Sequence, residues 1–305
     1  MQELNDERVL FAFARDLEPA LTVASGETVR IRTQDCFGNQ VQTPEDELDE
    51  INWDRINPAT GPVFVEGAVP GGALKVTIEN IELDPQTASC TGKDEGVCGD
   101  RFDVWSTHLC AIDGDKLVWN DQLSIPLNPM IGVIGTAPDG EDVIDGFVGA
   151  HGGNLDNKLI TKGTRMYFPV RVPGALLQMG DVHATMGDAE LCGTGIEIAA
   201  EITVKVSLVK DFELNWPVLE TFGPHGKWYV NASAQEFDEA LMNVSKEMQR
   251  LLMRITGWDA VDTYMYMSVQ SDVELSQACK PCEVQLSLRM GTPKLPQFPP
   301  LVPQP

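Results

Sequence analysis

Short runs that alternate apolar and polar residues, each closed by a turn signal, constrain this chain more than any other feature. Glu27-Thr28-Val29-Arg30-Ile31-Arg32-Thr33 alternates with period two. So do Leu74-Lys75-Val76-Thr77-Ile78-Glu79 and the stretch from Ile196-Glu197-Ile198 through Val204-Lys205-Val206. Alternation puts the apolar side chains on one face of a strand, and that face must be buried. Ser25-Gly26, Asn57-Pro58, Pro70-Gly71-Gly72, Asp113-Gly114-Asp115, Pro138-Asp139-Gly140 and Pro173-Gly174 punctuate the runs. Spacing of this kind favours a mainly β (α+β) fold of sandwich-like or barrel-like architecture over alternating βα units. A helical element is expected near the C-terminus. Ser233 and Glu236 read as a capping box, with Phe237, Leu241, Val244, Met248, Leu251, Leu252 and Ile255 three and four apart behind it. Gly257 stands where a C-terminal cap belongs, and a second short helix is expected from Asp259 to about Met267. Residues 84–103 read as a long loop and Pro44 to Glu50 as an acidic loop or short helix. The expected organisation is one compact unit over residues 1–305, with a mainly β region (1–210), an α+β region (211–290) and an extended Pro-rich tail (291–305).

The 305 residues, 43% of them apolar, suffice for a sizeable core. No apolar run approaches the roughly 18 residues of a membrane span, and Met1-Gln2-Glu3-Leu4-Asn5-Asp6 lacks the features of a signal peptide. A cytoplasmic location is therefore expected. With 46 acidic residues against 22 basic ones, the net charge is −24. Nucleic acid and anionic membranes are excluded as partners, since both need a basic surface. There are seven cysteines, an odd number that suits reduced thiols. Cys279-Lys280-Pro281-Cys282 is a lone CxxC without the second pair of a zinc ribbon, and the alternating residues after it lack the helix of a thioredoxin-like motif.

Two of the four histidines lie in segments crowded with carboxylates and glycines: His151-Gly152-Gly153-Asn154-Leu155-Asp156, and Gly180-Asp181-Val182-His183 followed by Gly187-Asp188-Ala189-Glu190. Imidazole with carboxylate oxygen suits zinc and related divalent metals. On a strand, Asp181 and His183 leave the same face, so both can reach one ion. The candidate metal ligands are Asp35, His151, Asp156, Asp181 and His183. Asp35 ends the strand that begins at Glu27. Glu66, on one strand face with Phe64, is a candidate general base, because partial burial raises a carboxyl pKa toward neutrality; Glu190, beyond the second histidine segment, is the other candidate base and could instead fold back as a ligand. Cys36 is an alternative nucleophile, although no histidine lies near it in sequence. His108 and His225 read as ordinary hydrogen-bonded or exposed histidines.

Several of these pieces together resemble the acetamidase/formamidase family of short-chain amide hydrolases. They are Asp35-Cys36-Phe37, Asn57-Pro58-Ala59-Thr60-Gly61-Pro62 with Val65-Glu66-Gly67-Ala68 and Pro70-Gly71, and the two histidine segments, in matching order along residues 5–275. Glycine at Gly72, alanine at Ala189 and serine at Ser271 depart from the family's usual aspartate, glycine and glycine. The resemblance implies a mainly β enzyme that hydrolyses a small amide of the formamide or acetamide type to acid and ammonia. It also implies a divalent metal and a homodimer or higher homo-oligomer. Zinc is the expected cofactor, with calcium as a candidate second ion. Two other readings stay open: a cysteine-nucleophile amidase with a structural metal, and a non-catalytic β module that binds calcium or a sugar.

Overall fold

The computed structural model describes residues 1–46, 48, 50–280 and 283–304. The fold is mainly β, as expected, with 41% strand against 12% helix. Its spine is an antiparallel pair of long strands, Ala73–Thr91 and Glu197–Val209, which carries Thr28–Thr33 on one flank and Arg165–Pro169 on the other. A second set centres on Leu177–His183, paired antiparallel with Met130–Gly135 and Ala59–Val65. The two sets meet at one corner, where Val182 pairs with Ile198 and His183 with Glu197. Among the described residues one curled sheet of seventeen strands results. Val29, Ile31, Ile78 and Val204 from the first set share a core with Ile131, Ile134, Leu177 and Val182 from the second.

A second core forms where helix α1 (Phe237–Thr256) covers the hairpin-like pair Lys227–Ala234 and Leu286–Pro293. Val244, Met248, Leu251 and Leu252 pack there with Val230, Leu288 and Met290. The helix ends as its sequence signals: Gly257 takes the left-handed conformation (φ 72°), and its N–H donates to Met253 O. Its start differs. Ser233 is no cap; it lies inside strand Lys227–Ala234, and its hydroxyl donates to Val148 O. Eight cross-strand pairs with Leu286–Pro293 outweigh the local capping signal. Helix α2 (Ala260–Gln270) is capped by Asp259, whose carboxylate accepts from the Val261 and Asp262 N–H groups.

Residues 85–91, expected in a long loop, continue strand Ala73–Thr91. They pair Thr87 with Ile198 and Ala88 with Glu197 across a register shift. The strand bends there and delivers its far end to the corner of the sheet. The last strand runs to Pro293, and Leu301 and Val302 of the tail are buried in the α1 core. Within Pro44–Glu50, Leu48 is buried beside Phe37 and Val41, while Glu47 and Asp49 lie outside the described residues. The CxxC pair is half described: Cys279 is buried, and Cys282 lies outside the described residues. Among the described residues no helix is long and apolar enough to cross a membrane.

Candidate active site

The corner that joins the two strand sets is filled with acids. Asp156, Asp181, His183, Glu190 and Glu197 are each no more than 6% exposed. His183 Nε2 is the hub. It lies 3.3 Å from Asp181 Oδ1, 3.2 Å from Glu197 Oε2, 3.8 Å from Asp156 Oδ1 and 3.9 Å from Glu190 Oε1. Gln277 fixes two of these acids, with Nε2 donating to Asp156 Oδ2 (2.5 Å) and Glu190 Oε2 (3.2 Å). The Gly195 N–H donates to Glu197 Oε1 at 2.7 Å.

The backbone is bent to bring them together. Asp156 (φ 40°), Asp181 (φ 52°), Ala189 (φ 79°) and Glu190 (φ 48°) all adopt left-handed conformations that cost a non-glycine residue about 1 kcal/mol or more. Asp181 therefore reaches His183 from a twisted backbone, where plain strand alternation had predicted an extended one. Ala189 occupies a position better suited to glycine, and two backbone hydrogen bonds hold it. Its N–H donates to Ser276 O, and the Ala278 N–H donates to Ala189 O. Gly132 makes room: a Cβ there would stand 2.5 Å from both Asp156 Oδ1 and Asp181 Oδ2. Gly195 does the same beside His183, where a Cβ would meet Nδ1 at 2.5 Å.

Burial sets the protonation of the cluster. Burial, with Glu190 and Asp181 adding to it, pushes Asp156 well above the carboxylate range. Burial also raises Glu190 and Glu197, against the pull of His183. Burial opposes charge on His183, yet Glu197 and Asp181 hold its imidazole protonated well above the ordinary range. Buried carboxyls held so high ionise together only where a cation stands beside them to compensate their charge. Polar atoms are left over as well: Asp156 Oδ1, Glu197 Oε2 and His183 Nδ1 make no hydrogen bond. The donor set and its orphaned oxygens fit a divalent metal.

Of the residues singled out from the sequence, Asp156, Asp181, His183 and Glu190 come together here. Asp35 lies just outside. Its Oδ1 accepts from the Asn39 N–H at 2.7 Å, and burial, helped by the charge on Asp181, raises its carboxyl to about 6. His151 is not drawn into the cluster. It is buried with its ring against Phe13 (4.9 Å between centroids), Nε2 makes no hydrogen bond, and burial lowers its pKa to about 4. Glu66 stands exposed in the turn after strand Ala59–Val65, so the partial burial expected beside Phe64 is absent. Cys36 is buried at the edge of the cluster, and burial together with Glu197 and Asp181 pushes its thiol well up.

Sequence reasoning passed over Glu197, Gln277 and Arg289. Glu197 carried a readable signal, an acid between two isoleucines. Arg289 is 1% exposed and binds a ring of partners: Nη1 and Nη2 donate to the two Asp188 oxygens (2.8 Å each), Nε donates to Glu274 (2.7 Å), and Nη1 also reaches Asn157 and Ser276. Asn157 adjoins Asp156, Asp188 precedes Glu190 by two residues, and Ser276 adjoins Gln277. One guanidinium thus ties together the three segments that supply these site residues.

Known proteins place this architecture. The sequence profile of the Acetamidase/Formamidase family matches residues 2–146 and 147–280. The crystal structure of an acetamidase from Bacillus halodurans superposes with a TM-score of 0.91 at 38% identity, over 95% of this chain and 97% of that one. The formamidase of Methylophilus methylotrophus and the acetamidase of Mycolicibacterium smegmatis are each 27% identical. Those two matches cover 64% of this chain and 63% and 64% of the relatives' own lengths, just under two thirds. With its fold, its acid-lined corner and a family profile matched along most of its length, the chain belongs to the acetamidase/formamidase family.

Proposed function

We propose that the chain hydrolyses small aliphatic amides of the formamide or acetamide type to carboxylic acid and ammonia, with a divalent metal, zinc first, at the buried corner. The observation that carries this reading is the convergence of His183 with Asp156, Asp181 and Glu190 at a buried corner where Asp156 Oδ1 makes no hydrogen bond. Asp156, Asp181 and His183 would hold the metal. When bound, such a metal supplies Lewis acidity, which acidifies water and polarises an amide carbonyl. Glu190 is the general base. Gln277 holds its Oε2, and burial raises its carboxyl above the ordinary range, so that once ionised beside the cation it takes up a proton readily. Glu190 takes a proton from the attacking water as the C–O bond forms. It then returns the proton to the amide nitrogen as the C–N bond breaks, because nitrogen leaves poorly unless protonated. The burial of every acid in the cluster favours a small, neutral substrate.

Two features disfavour Cys36 as nucleophile: its thiol is raised rather than lowered, and it faces carboxylates rather than a cation. The test strips the protein with a chelator, verifies the loss by elemental analysis, and follows ammonia release from formamide and acetamide before and after zinc is restored. Activity should vanish and return. Full turnover in the metal-free protein would overturn the metal reading, and no ammonia from any short amide would leave the non-catalytic alternative standing.

A further inference from the structure

Since the corner residues are no more than 6% exposed, an amide reaches them only where the cover of the molecule parts. One stretch of that cover is thin. Val9–Leu10 pairs with Thr60 and Ala59, and Ala12–Phe13 pairs with Val143–Ile144, two residues in each case. Phe13 hangs from this segment and is fully buried. Its ring packs on Ala59 and Val133 and lies 4.9 Å from the His151 ring. Its Cε1 stands 3.2 Å from where Gly135 would carry a Cβ.

Register shows what else faces Phe13. Directly opposed residues of an antiparallel pair present their side chains on one face of the sheet. Val133 pairs with Asn154 on one side and Gly180 on the other, Gly180 pairs with Ala59, and Gly135 pairs with Gln178. Asn154 and Gln178 therefore share the face that Phe13 covers. Asn154 Oδ1, both amide atoms of Gln178, and His151 Nε2 are buried and make no hydrogen bond. An aromatic ring gives such atoms nothing to bond with. A neutral primary amide, which both donates and accepts, suits them. This face adjoins the corner. The Asn57 N–H donates to Cys36 O at 2.7 Å, and Asn57 Nδ2 stands 3.6 Å from where Gly146 would carry a Cβ. Asn154 Nδ2 donates to Gly146 O at 3.5 Å, and Asn154 precedes Asp156 by two residues.

We propose that Phe13 gates the passage of the amide past Asn154 to the corner, and that its bulk limits the acyl chain admitted. This rests on the amidase reading given under the proposed function and adds to it an entry route and a residue that sets chain length. The floor beneath the ring is built of Ala59, Gly135 and Gly180, so a ring lifted away leaves space that no other side chain of that floor fills. Phe13 acts on entry and size, not on bond cleavage. A smaller side chain there should change the preference among amides more than the turnover of the smallest one.

The test compares ammonia release from formamide, acetamide, propionamide and butyramide by the parent, Phe13→Ala and Phe13→Leu, with circular dichroism to confirm the fold. Phe13→Ala should raise kcat/KM for butyramide relative to formamide at least about tenfold, the scale of a methylene or two in an apolar site. Phe13→Leu should fall between, and being closer in volume it carries the test if the alanine variant does not fold. An unchanged preference in the folded variants would overturn the size limit. A second readout needs no turnover. Iodoacetamide, itself a small neutral amide, alkylates a thiol as the sulfur displaces iodide and the thiol proton passes to solvent. Peptide mass spectrometry follows this at Cys36, beside the corner, and at Cys110, buried in the main core. Cys36 should react severalfold faster in the Phe13 variants, and Cys110 at its parental rate. An unchanged rate at Cys36, or the same acceleration at Cys110, would overturn the gate. If the parent releases no ammonia from any of the amides, the amidase reading falls, and the Cys36 rate still decides whether Phe13 controls access to the corner.

Discussion

At the scale of single residues, the site depends on positions where the chain adopts conformations or spacings that ordinary residues avoid. Gly132 shows this most directly. It lies in strand Met130–Gly135 without a positive φ, so only the space beside its Cα forbids a side chain. Gly132→Ala would drive a methyl group into Asp156 and Asp181, the two acids assigned to hold the metal. We expect a stability loss of about 1–3 kcal/mol in urea unfolding, the usual penalty of overpacking, with metal content lost in parallel. Unchanged metal content in the folded variant would show that these two carboxylates can part without consequence. Ala189 makes the opposite case. Its φ of 79° suits glycine, so Ala189→Gly relieves the backbone while adding unfolded-state freedom. The two effects nearly cancel, and the measured stability should stay within about 1 kcal/mol of the parent.

At the scale of elements, Arg289 is the residue whose removal propagates furthest. It projects from strand Leu286–Pro293 and holds Asp188, Glu274, Asn157 and Ser276, which lie on three segments separated in sequence. Arg289→Met keeps most of the volume but leaves Asp188 and Glu274 without their cation. Breaking a buried ion pair at one end costs about 3–5 kcal/mol. Asp188 and Glu274 are one-third exposed on their side chains, and Asp188 keeps Lys158, so a loss near the lower end is expected in urea unfolding. Zinc affinity should fall by roughly 10–100-fold, the usual effect of removing support behind metal ligands. A full stability loss with unaltered zinc affinity would limit Arg289 to a structural role. This clamp also marks where the sequence stops being readable. Period-two runs revealed the long strands, and Gly257 revealed where α1 ends, because both signals are local. The partners of Arg289 are 13 to 132 residues away along the chain, and no local pattern predicts such a meeting. Glu66 and His151 failed to join the corner for the same reason. Each stood in a suggestive local context, but sheet topology carried Glu66 to an exposed turn and buried His151 against Phe13. Asp181 and His183 were legible as a pair because only one residue separates them.

At the scale of the whole molecule, the chain is strongly acidic and keeps buried acids away from the corner as well. Asp145 is fully buried beside the short pairing of Val143–Ile144 with Ala12–Phe13, and neither carboxylate oxygen makes a hydrogen bond. Burial raises its pKa to about 8. In the unfolded chain its carboxyl titrates near 4. Between those values the native state keeps a proton that the unfolded state has lost. The contribution of Asp145 to stability is thus complete below about pH 4, declines as pH rises, and is gone above about pH 8. The slope for one such proton approaches 1.4 kcal/mol per pH unit. Repulsion within a molecule of net charge −24 also grows with pH, but salt screens it, whereas a buried carboxyl is little affected by salt. Urea unfolding of metal-free protein from pH 5 to 8.5, at low and at high salt, separates screened repulsion from the buried carboxyls, and comparison with Asp145→Asn separates Asp145 from the corner acids, whose raised carboxyls make stability decline in the same direction. Stability should decline with pH at both salt concentrations, and Asp145→Asn should flatten the decline by about one proton's slope at each. If Asp145→Asn and the parent run parallel across that range, Asp145 ionises without cost, and its buried position must be open to water.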